Sequence, residues 1–105
     1  MFRLQAIDGK ASVNTETLTD NKTLTTADHP IQILDPGGSA RTITLPTATD
    51  AVDGKCYWIK NSADAAEIIT VADADSNTIG TPTQNETGLF LCVDGTWYGL
   101  VGSHV

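Results

Sequence analysis

Hydrophobic residues in this chain alternate with polar ones over short stretches, and no stretch keeps apolar residues at helical spacing for more than two turns. This pattern predicts short strands and almost no helix. Eight strands are predicted, over residues 2–7, 23–27, 31–34, 41–45, 56–60, 67–71, 89–93 and 96–101. Turn-forming residues separate them. Such a succession of strands and turns is typical of a small antiparallel β-sandwich or jelly-roll-like barrel.

The last two predicted strands form the clearest local motif. Asp94-Gly95 favours a two-residue turn, because such a turn requires a positive φ at both positions and these two residue types adopt it readily. The resulting register pairs Val93 with Thr96, Cys92 with Trp97, Leu91 with Tyr98, Phe90 with Gly99, Leu89 with Leu100 and Gly88 with Val101. Both faces of this hairpin are apolar. We therefore expect both to be buried, the second one against another sheet of the chain or a neighbouring subunit.

The alternation within two middle strands predicts which side chains face the core. In residues 41–45 the aliphatic side chains are expected to point inward and the threonines outward. In residues 31–34 the same pattern predicts that Ile31 and Ile33 point inward and that Gln32 points outward.

Residues 8–28 are rich in threonine and poor in large apolar side chains. Such a segment buries little surface by itself, which predicts an extended arm that is ordered by docking onto another surface. An ordinary edge hairpin of the same sandwich is the alternative. We accordingly divide the chain into an N-terminal strand and polar arm, residues 1–28, and an antiparallel β domain, residues 29–105.

Length and charge narrow the functional classes. A chain of 105 residues is one domain with a single modest core. Six basic and thirteen acidic residues give a net charge of −7, which disfavours nucleic acid and anionic membranes as partners. The sequence has neither a membrane-spanning apolar run nor the apolar stretch of a secretory signal. We expect a cytosolic product that is intact from residue 1.

Two cysteines and one acidic turn are the candidates for special chemistry. Cys56 and Cys92 lie inside predicted strands without metal-ligand spacing, so we expect free buried thiols, with a disulfide as the alternative. Asp73, Asp75 and Asn77 have the spacing of the first half of a calcium loop. The second half of that loop is missing, which excludes an EF-hand and favours a polar turn over a looser calcium site.

No catalytic motif stands out. His29 and His104 lie near no recognisable nucleophile, and a Gly-x-Ser-x-Gly elbow is absent. Pro36-Gly37-Gly38 lacks the Lys-Ser/Thr ending of a phosphate-binding loop, so it is interpreted as a turn. The sequence predicts a protein that is not an enzyme, with no catalytic residue, metal or cofactor.

The aromatic residues of the strands allow two interpretations. Trp58, Trp97 and Tyr98 could form a platform for a sugar or a protein partner. Since each has apolar neighbours, a position in the core or in a subunit interface is favoured.

The stretch from residue 31 to residue 102 resembles a module of tailed-phage virion proteins. The matching residues are Ile33-Leu-Asp-Pro-Gly-Gly38, Arg41-Thr-Ile-Thr-Leu-Pro46, Gly54 with Tyr57-Trp-Ile-Lys-Asn61, Ile69-Thr-Val71, Thr78-Ile79 and Asp94-Gly-Thr-Trp97. These motifs are turns and strand edges rather than a catalytic signature. Residues 8–28 do not match the module.

The resemblance implies a small all-β domain of a capsid decoration (cement) or head-fibre protein, commonly a trimer. Such a protein binds the outer surface of the assembled head, so its partners are the major capsid protein and two further copies of itself, and it is made in the host cytoplasm. The expected capsid contacts are Phe2, Arg3, Leu4 and Ile7, and the expected core or subunit-interface residues are Trp58, Leu89, Phe90, Leu91, Trp97 and Tyr98. The alternative is a tail-fibre or head-fibre module that binds a glycan or protein of the host surface.

Overall fold

The computed structural model of this chain describes residues 12–103. Nine strands and one helix of four residues make up this part. The strands are β1 (Val13–Thr17), β2 (Lys22–Thr23), β3 (Ile31–Asp35), β4 (Arg41–Thr44), β5 (Cys56–Asn61), β6 (Ile69–Ala72), β7 (Thr78–Gly80), β8 (Thr87–Val93) and β9 (Thr96–Gly102), and the helix α1 (Ala48–Ala51) lies between β4 and β5. The all-β prediction is confirmed, while the predicted strand 2–7 lies outside the described residues.

The strands form two sheets that enclose one core. The five-stranded sheet has the order β1-β3-β5-β8-β9, and the four-stranded sheet has the order β2-β4-β6-β7. Their inner faces supply fully buried side chains, of which Tyr57, Phe90 and Ile43 are among the largest. The domain is thus a two-layer β structure, as the sequence predicts.

The predicted antiparallel arrangement is wrong for the first six strands. From β1 to β6 the chain alternates between the two sheets. Each strand from β3 to β6 therefore pairs in parallel with the strand two before it in the chain. Four of the seven strand pairings are therefore parallel. Residues 13–72 form three turns of a two-sheet coil, which we call the parallel coil, and β7, β8 and β9 add the antiparallel pairings.

The C-terminal hairpin has the predicted register. Each of the six expected pairs between β8 and β9 is present, from Val93 with Thr96 to Gly88 with Val101. Asp94 and Gly95 have φ values of 53° and 75°, which is the backbone that a type I′ turn requires. This motif is local, and the local sequence fixes it.

Residues 12–28 are built into the two sheets rather than extended away from them. β1 and β2 form one edge of each sheet, pairing in parallel with β3 and β4. Leu18 and Leu24, in the connections beside them, are buried in the core. The interpretation as a docking arm is therefore wrong for these residues, and the edge-strand alternative is closer, although the two strands pair with other strands and not with each other.

Strand β3 faces the opposite way from the prediction. Gln32 and Leu34 are buried, while Ile31 and Ile33 point outward and are half-buried. Gln32 is accommodated because its amide donates to the His29 carbonyl at 2.8 Å and accepts from Asn14 Nδ2 at 2.8 Å. In residues 41–45 the predicted orientation is confirmed, because Ile43 and Leu45 are buried while the two threonines are half-buried.

Candidate functional site

An unbroken line of apolar side chains crosses the outer face of the five-stranded sheet. Val13 pairs with Ile31, and Ile31 pairs with Trp58. Trp58 in turn pairs with Leu89, and Leu89 pairs with Leu100. Since directly paired residues lie on the same face, these five side chains form one row, which we call the apolar stripe. With strands about 4.8 Å apart, the stripe is roughly 20 Å wide.

The apolar stripe is open to solvent in the single chain. Leu100 is 74% exposed, and Trp58 and Val13 are each 48% exposed. A second row beside the stripe adds Leu91, half-buried, and Tyr98, which is 57% exposed. The expectation that another sheet of the same chain covers this face is wrong for residues 12–103, in which this face is left open.

A groove marks the β8 and β9 end of the apolar stripe. It has a volume of about 370 Å³ and is lined by Trp58, Thr87, Leu89, Leu100, Val101 and Gly102. Apart from the Thr87 hydroxyl, its side-chain walls are apolar or aromatic. The groove is therefore suited to an apolar side chain of a partner rather than to a charged ligand.

The outer face carries little charge for so acidic a chain. Among the outward positions of its five strands, the charged residues are Asp35 and Lys60, which cancel each other. Both lie beside the apolar stripe and not in it, two or more residues along their strands. The net charge of −7 therefore resides elsewhere on the chain.

The outer face of the four-stranded sheet is chemically different. Thr42 pairs with Thr70, and Thr23 pairs with Thr44, so hydroxyl groups face outward across neighbouring strands. Such a surface is well hydrated and needs no cover. The contrast between the two outer faces identifies the apolar one as the candidate site.

The six predicted core or interface residues fall into two groups. Phe90 is fully buried and Trp97 is 6% exposed, with its indole Nε1 donating to the Pro46 carbonyl at 2.9 Å. Trp58, Leu89, Leu91 and Tyr98 all lie on the outer face. Val13, Ile31 and Leu100 complete the site. The predicted hairpin already pairs Leu100 with Leu89, whereas Val13 and Ile31 join the row only through the parallel pairings of β1, β3 and β5, which the sequence did not reveal.

The expected capsid contacts Phe2, Arg3, Leu4 and Ile7 lie outside the described residues. His104 does so as well. His29 is exposed, and within residues 12–103 its imidazole takes part in no side-chain hydrogen bond.

Both cysteines are free thiols, as expected, and the disulfide alternative is wrong. Cys92 is buried, and its Sγ lies 3.8 Å from the Ala48 carbonyl. Burial, together with the negative charge of Asp53, raises the pKa of the Cys92 thiol. Cys56 is half-buried on the outer face, opposite Leu91.

The acidic turn after β6 is held by its own hydrogen bonds. Asp73 Oδ1 accepts from the backbone N–H groups of Asp75 and Asn77 at 3.0 and 2.8 Å, and Asp73 Oδ2 accepts from Asn77 Nδ2 at 3.1 Å. Both carboxylate oxygens of Asp73, the first residue of the possible calcium loop, therefore accept hydrogen bonds from within the turn. The structure thus favours the polar turn over the calcium site.

A different acidic cluster appears at the ends of β3 and β5. Carboxylate oxygens of Asp35, Asp64 and Glu67 lie within 4.8 Å of one another, and Glu67 Oε1 is buried without a hydrogen-bond partner. Oxygen ligands of this kind could hold a hard cation such as Ca²⁺. However, Asp64 is exposed, and exposed acidic groups commonly cluster without an ion. The sequence carried no signal for this cluster, because parallel pairing of Leu34 with Asn61 brings the three residues together.

No protein-family description matches this chain, and no curated protein is significantly similar to it. The likeness to phage virion modules therefore stays a hypothesis. Within residues 12–103, no helix has the length and apolar character needed to cross a membrane.

Proposed function

We propose that this chain is a structural subunit of a tailed-phage virion, a non-enzymatic capsid decoration protein that binds the outer surface of the assembled head as a homotrimer. The observation that carries this proposal is the solvent-exposed apolar stripe, whose five side chains carry no charge. Contiguous exposed apolar surface of this kind, which runs across five strands, marks binding surfaces on soluble proteins. A surface of this kind supports assembly rather than catalysis.

The proposed mechanism is mechanical. A trimer presents three copies of one capsid-binding element, so the second and third contacts form at high effective concentration after the first. Binding then depends on an assembled lattice that offers three matching sites. Bridging neighbouring capsid subunits raises the free energy needed to separate them.

The capsid-binding element is proposed to be the N-terminal segment with Phe2, Arg3, Leu4 and Ile7. Removing residues 1–20 would be a poor test of this role, because the deletion also removes strand β1 and the buried Leu18. Substituting Phe2, Leu4 and Ile7 together by serine changes none of the residues of the nine described strands. This triple variant is the sharper test.

Co-sedimentation with assembled, expanded phage heads that lack decoration protein tests the proposal. Wild-type protein is expected to pellet with the heads at a saturating number of copies, and the triple serine variant is expected to remain in the supernatant. Unassembled capsid protein serves as the control, since binding should require the lattice. Wild-type protein that never pellets with heads would refute the decoration role.

A host-binding fibre module is the second candidate. The observation in its favour is that two aromatic side chains, Trp58 and Tyr98, are about half exposed on one face, as in many sugar platforms. This candidate predicts binding to bacterial surface glycans or to whole host cells, and no binding to heads. A glycan array and a cell pull-down with a Trp58→Ala, Tyr98→Ala control separate the two functions.

A further inference from the structure

We infer that the apolar stripe is a self-association surface, in which Leu100 of one copy enters the groove between Trp58 and Leu89 of another copy. This inference names the contact that would hold the proposed oligomer together, and it rests on the proposed function only for the number of copies.

The shape of the surface provides both halves of such a contact. Leu100 lies on the edge strand β9 and is 74% exposed, so its side chain stands free of the sheet. Leu100 also forms one side of the groove of about 370 Å³, whose other walls include Trp58 and Leu89. A ridge next to a groove on one face lets identical copies interlock.

The charge distribution favours a second copy as the occupant. Two chains of net charge −7 repel each other over most approaches. The apolar stripe is an exception, because none of its five side chains is charged and the charged outward residues of the strands, Asp35 and Lys60, lie beside it. Copies that meet through the stripe bury apolar side chains, and the acidic cluster of Asp35, Asp64 and Glu67 lies at the end of β3, outside the stripe.

The composition of the stripe also suits an interface. Exposed tryptophan and tyrosine side chains surrounded by leucine are the residues that contribute most when they are buried between proteins. Trp58 at 48% and Tyr98 at 57% exposure have much of their surface left to bury. In a trimer the Leu100 contact would occur three times.

The test is the molar mass of wild-type protein and of a Leu100→Asp variant, measured by light scattering during size exclusion over a dilution series. Placing a carboxylate in an apolar groove removes the burial of leucine and adds a desolvation cost, so the concentration for half-dissociation should rise at least about 100-fold. Thr23→Asp is the matched control, because Thr23 is an exposed residue on the outer face of the other sheet. This control should keep the wild-type mass.

Tryptophan fluorescence provides a second measurement. Trp97 is buried in the single chain, so a change in acrylamide quenching on dilution reports on Trp58. Trp58 should be shielded in the wild-type oligomer and accessible in Leu100→Asp, with the far-ultraviolet circular dichroism unchanged. A wild-type protein that is monomeric at every concentration overturns the inference, and so does an oligomer that Leu100→Asp leaves intact.

These outcomes separate the inference from the proposed function. An oligomer that Leu100→Asp disperses, but that does not bind phage heads, supports the self-association surface and refutes the decoration role. An oligomer that binds heads and survives the substitution refutes the contact at Leu100 alone.

Discussion

Phe90 occupies the space that a side chain at Gly88 would need. A Cβ atom added to Gly88 would lie 2.5 Å from Phe90 Cε2. Phe90 is itself fully buried between the two sheets and has no room to withdraw. The same ring lies 3.0 Å from a Cβ placed on Gly99, its partner across the hairpin. Gly88 and Gly99 thus leave the space that the Phe90 ring fills in the core.

Gly88→Ala should therefore destabilise the domain by about 1–3 kcal/mol, because the added methyl group overpacks the core. Urea unfolding followed by circular dichroism measures this change. Gly102→Ala in the same hairpin is the control, since a Cβ there meets no atom within 4 Å. Equal stability of the two variants would show that Phe90 is not confined as described.

Tyr57→Phe should cost about 1–2 kcal/mol of unfolding free energy. The buried Tyr57 hydroxyl donates to the Thr25 carbonyl at 2.7 Å, and its removal leaves that carbonyl without this donor. Tyr98→Phe, at an exposed residue, is the control and should change stability little in the dissociated protein. Chemical denaturation at low protein concentration makes the comparison.

Tyr57 also predicts how stability depends on pH in the alkaline range. Burial, with a smaller contribution from Asp28, raises the pKa of Tyr57 to about 12. The unfolded state has an ordinary tyrosine pKa of about 10 and therefore loses the proton first. Stability should fall as the pH rises from about 10 towards 12, and Tyr57→Phe should weaken this fall. An unchanged pH profile in the variant would contradict the assignment.

Asn61→Asp should be among the most damaging substitutions in the parallel coil. The buried Asn61 Nδ2 donates to the carbonyls of Glu67 at 2.7 Å and Pro82 at 3.0 Å. An aspartate would turn an oxygen towards both carbonyls, and we expect a loss of at least about 3 kcal/mol at neutral pH. Asn21→Asp is the matched control, because Asn21 is exposed and uses its oxygen to accept from the Thr42 N–H.

The loss in Asn61→Asp should shrink in acid. Burial next to two carbonyls disfavours the carboxylate, so the pKa of the new side chain is raised in the folded state. The variant is then relatively more stable below the ordinary pKa of aspartate, about 3.9, and loses stability as the pH rises. Thermal unfolding at matched acidic and neutral pH measures the difference from wild type. A constant difference would argue against the described contacts of Asn61.

Thiol labelling should distinguish the two cysteines. In dilute native protein a thiol reagent is expected to modify Cys56, which is partly exposed, and to spare Cys92, which is buried with a raised pKa. Unfolding in urea without a reductant should expose the second thiol. Cys56→Ser should abolish labelling of the native protein. A failure to find two thiols after unfolding would indicate a disulfide and contradict the structure.

The hairpin shows how much of this fold local sequence can predict. Asp94-Gly95 specifies the turn, and the turn specifies every pair between β8 and β9, including the position of Phe90 opposite Gly99. The positions of β3 to β6 also follow from alternation and turn residues, whereas β1 and β7 were not predicted as strands. The orientation of β3 was predicted wrongly. Alternation placed Ile31 and Ile33 inside, and the hydrogen bonds that allow Gln32 to be buried instead come from residues outside the strand.

The parallel coil could not be predicted from the local sequence. A short connection can return a strand beside its neighbour or carry it to an opposite sheet, and its composition is similar in both cases. The number of residues in each turn of the coil also differs, since Val13 pairs with Ile31 and Ile31 pairs with Trp58. The coil therefore leaves no repeat of fixed length in the sequence. The antiparallel prediction failed for this reason.

The sequence by itself determined the all-β class, the hairpin register, the acidic charge and the excess of apolar surface in the C-terminal strands. These properties depend on residues that are close in the chain or on composition alone. The tertiary structure decided that Val13, Ile31, Trp58, Leu89 and Leu100 form one row and that this row faces solvent. That outcome depends on the register between strands that are distant in sequence, which is set by the packing of the shared core and not by any local pattern.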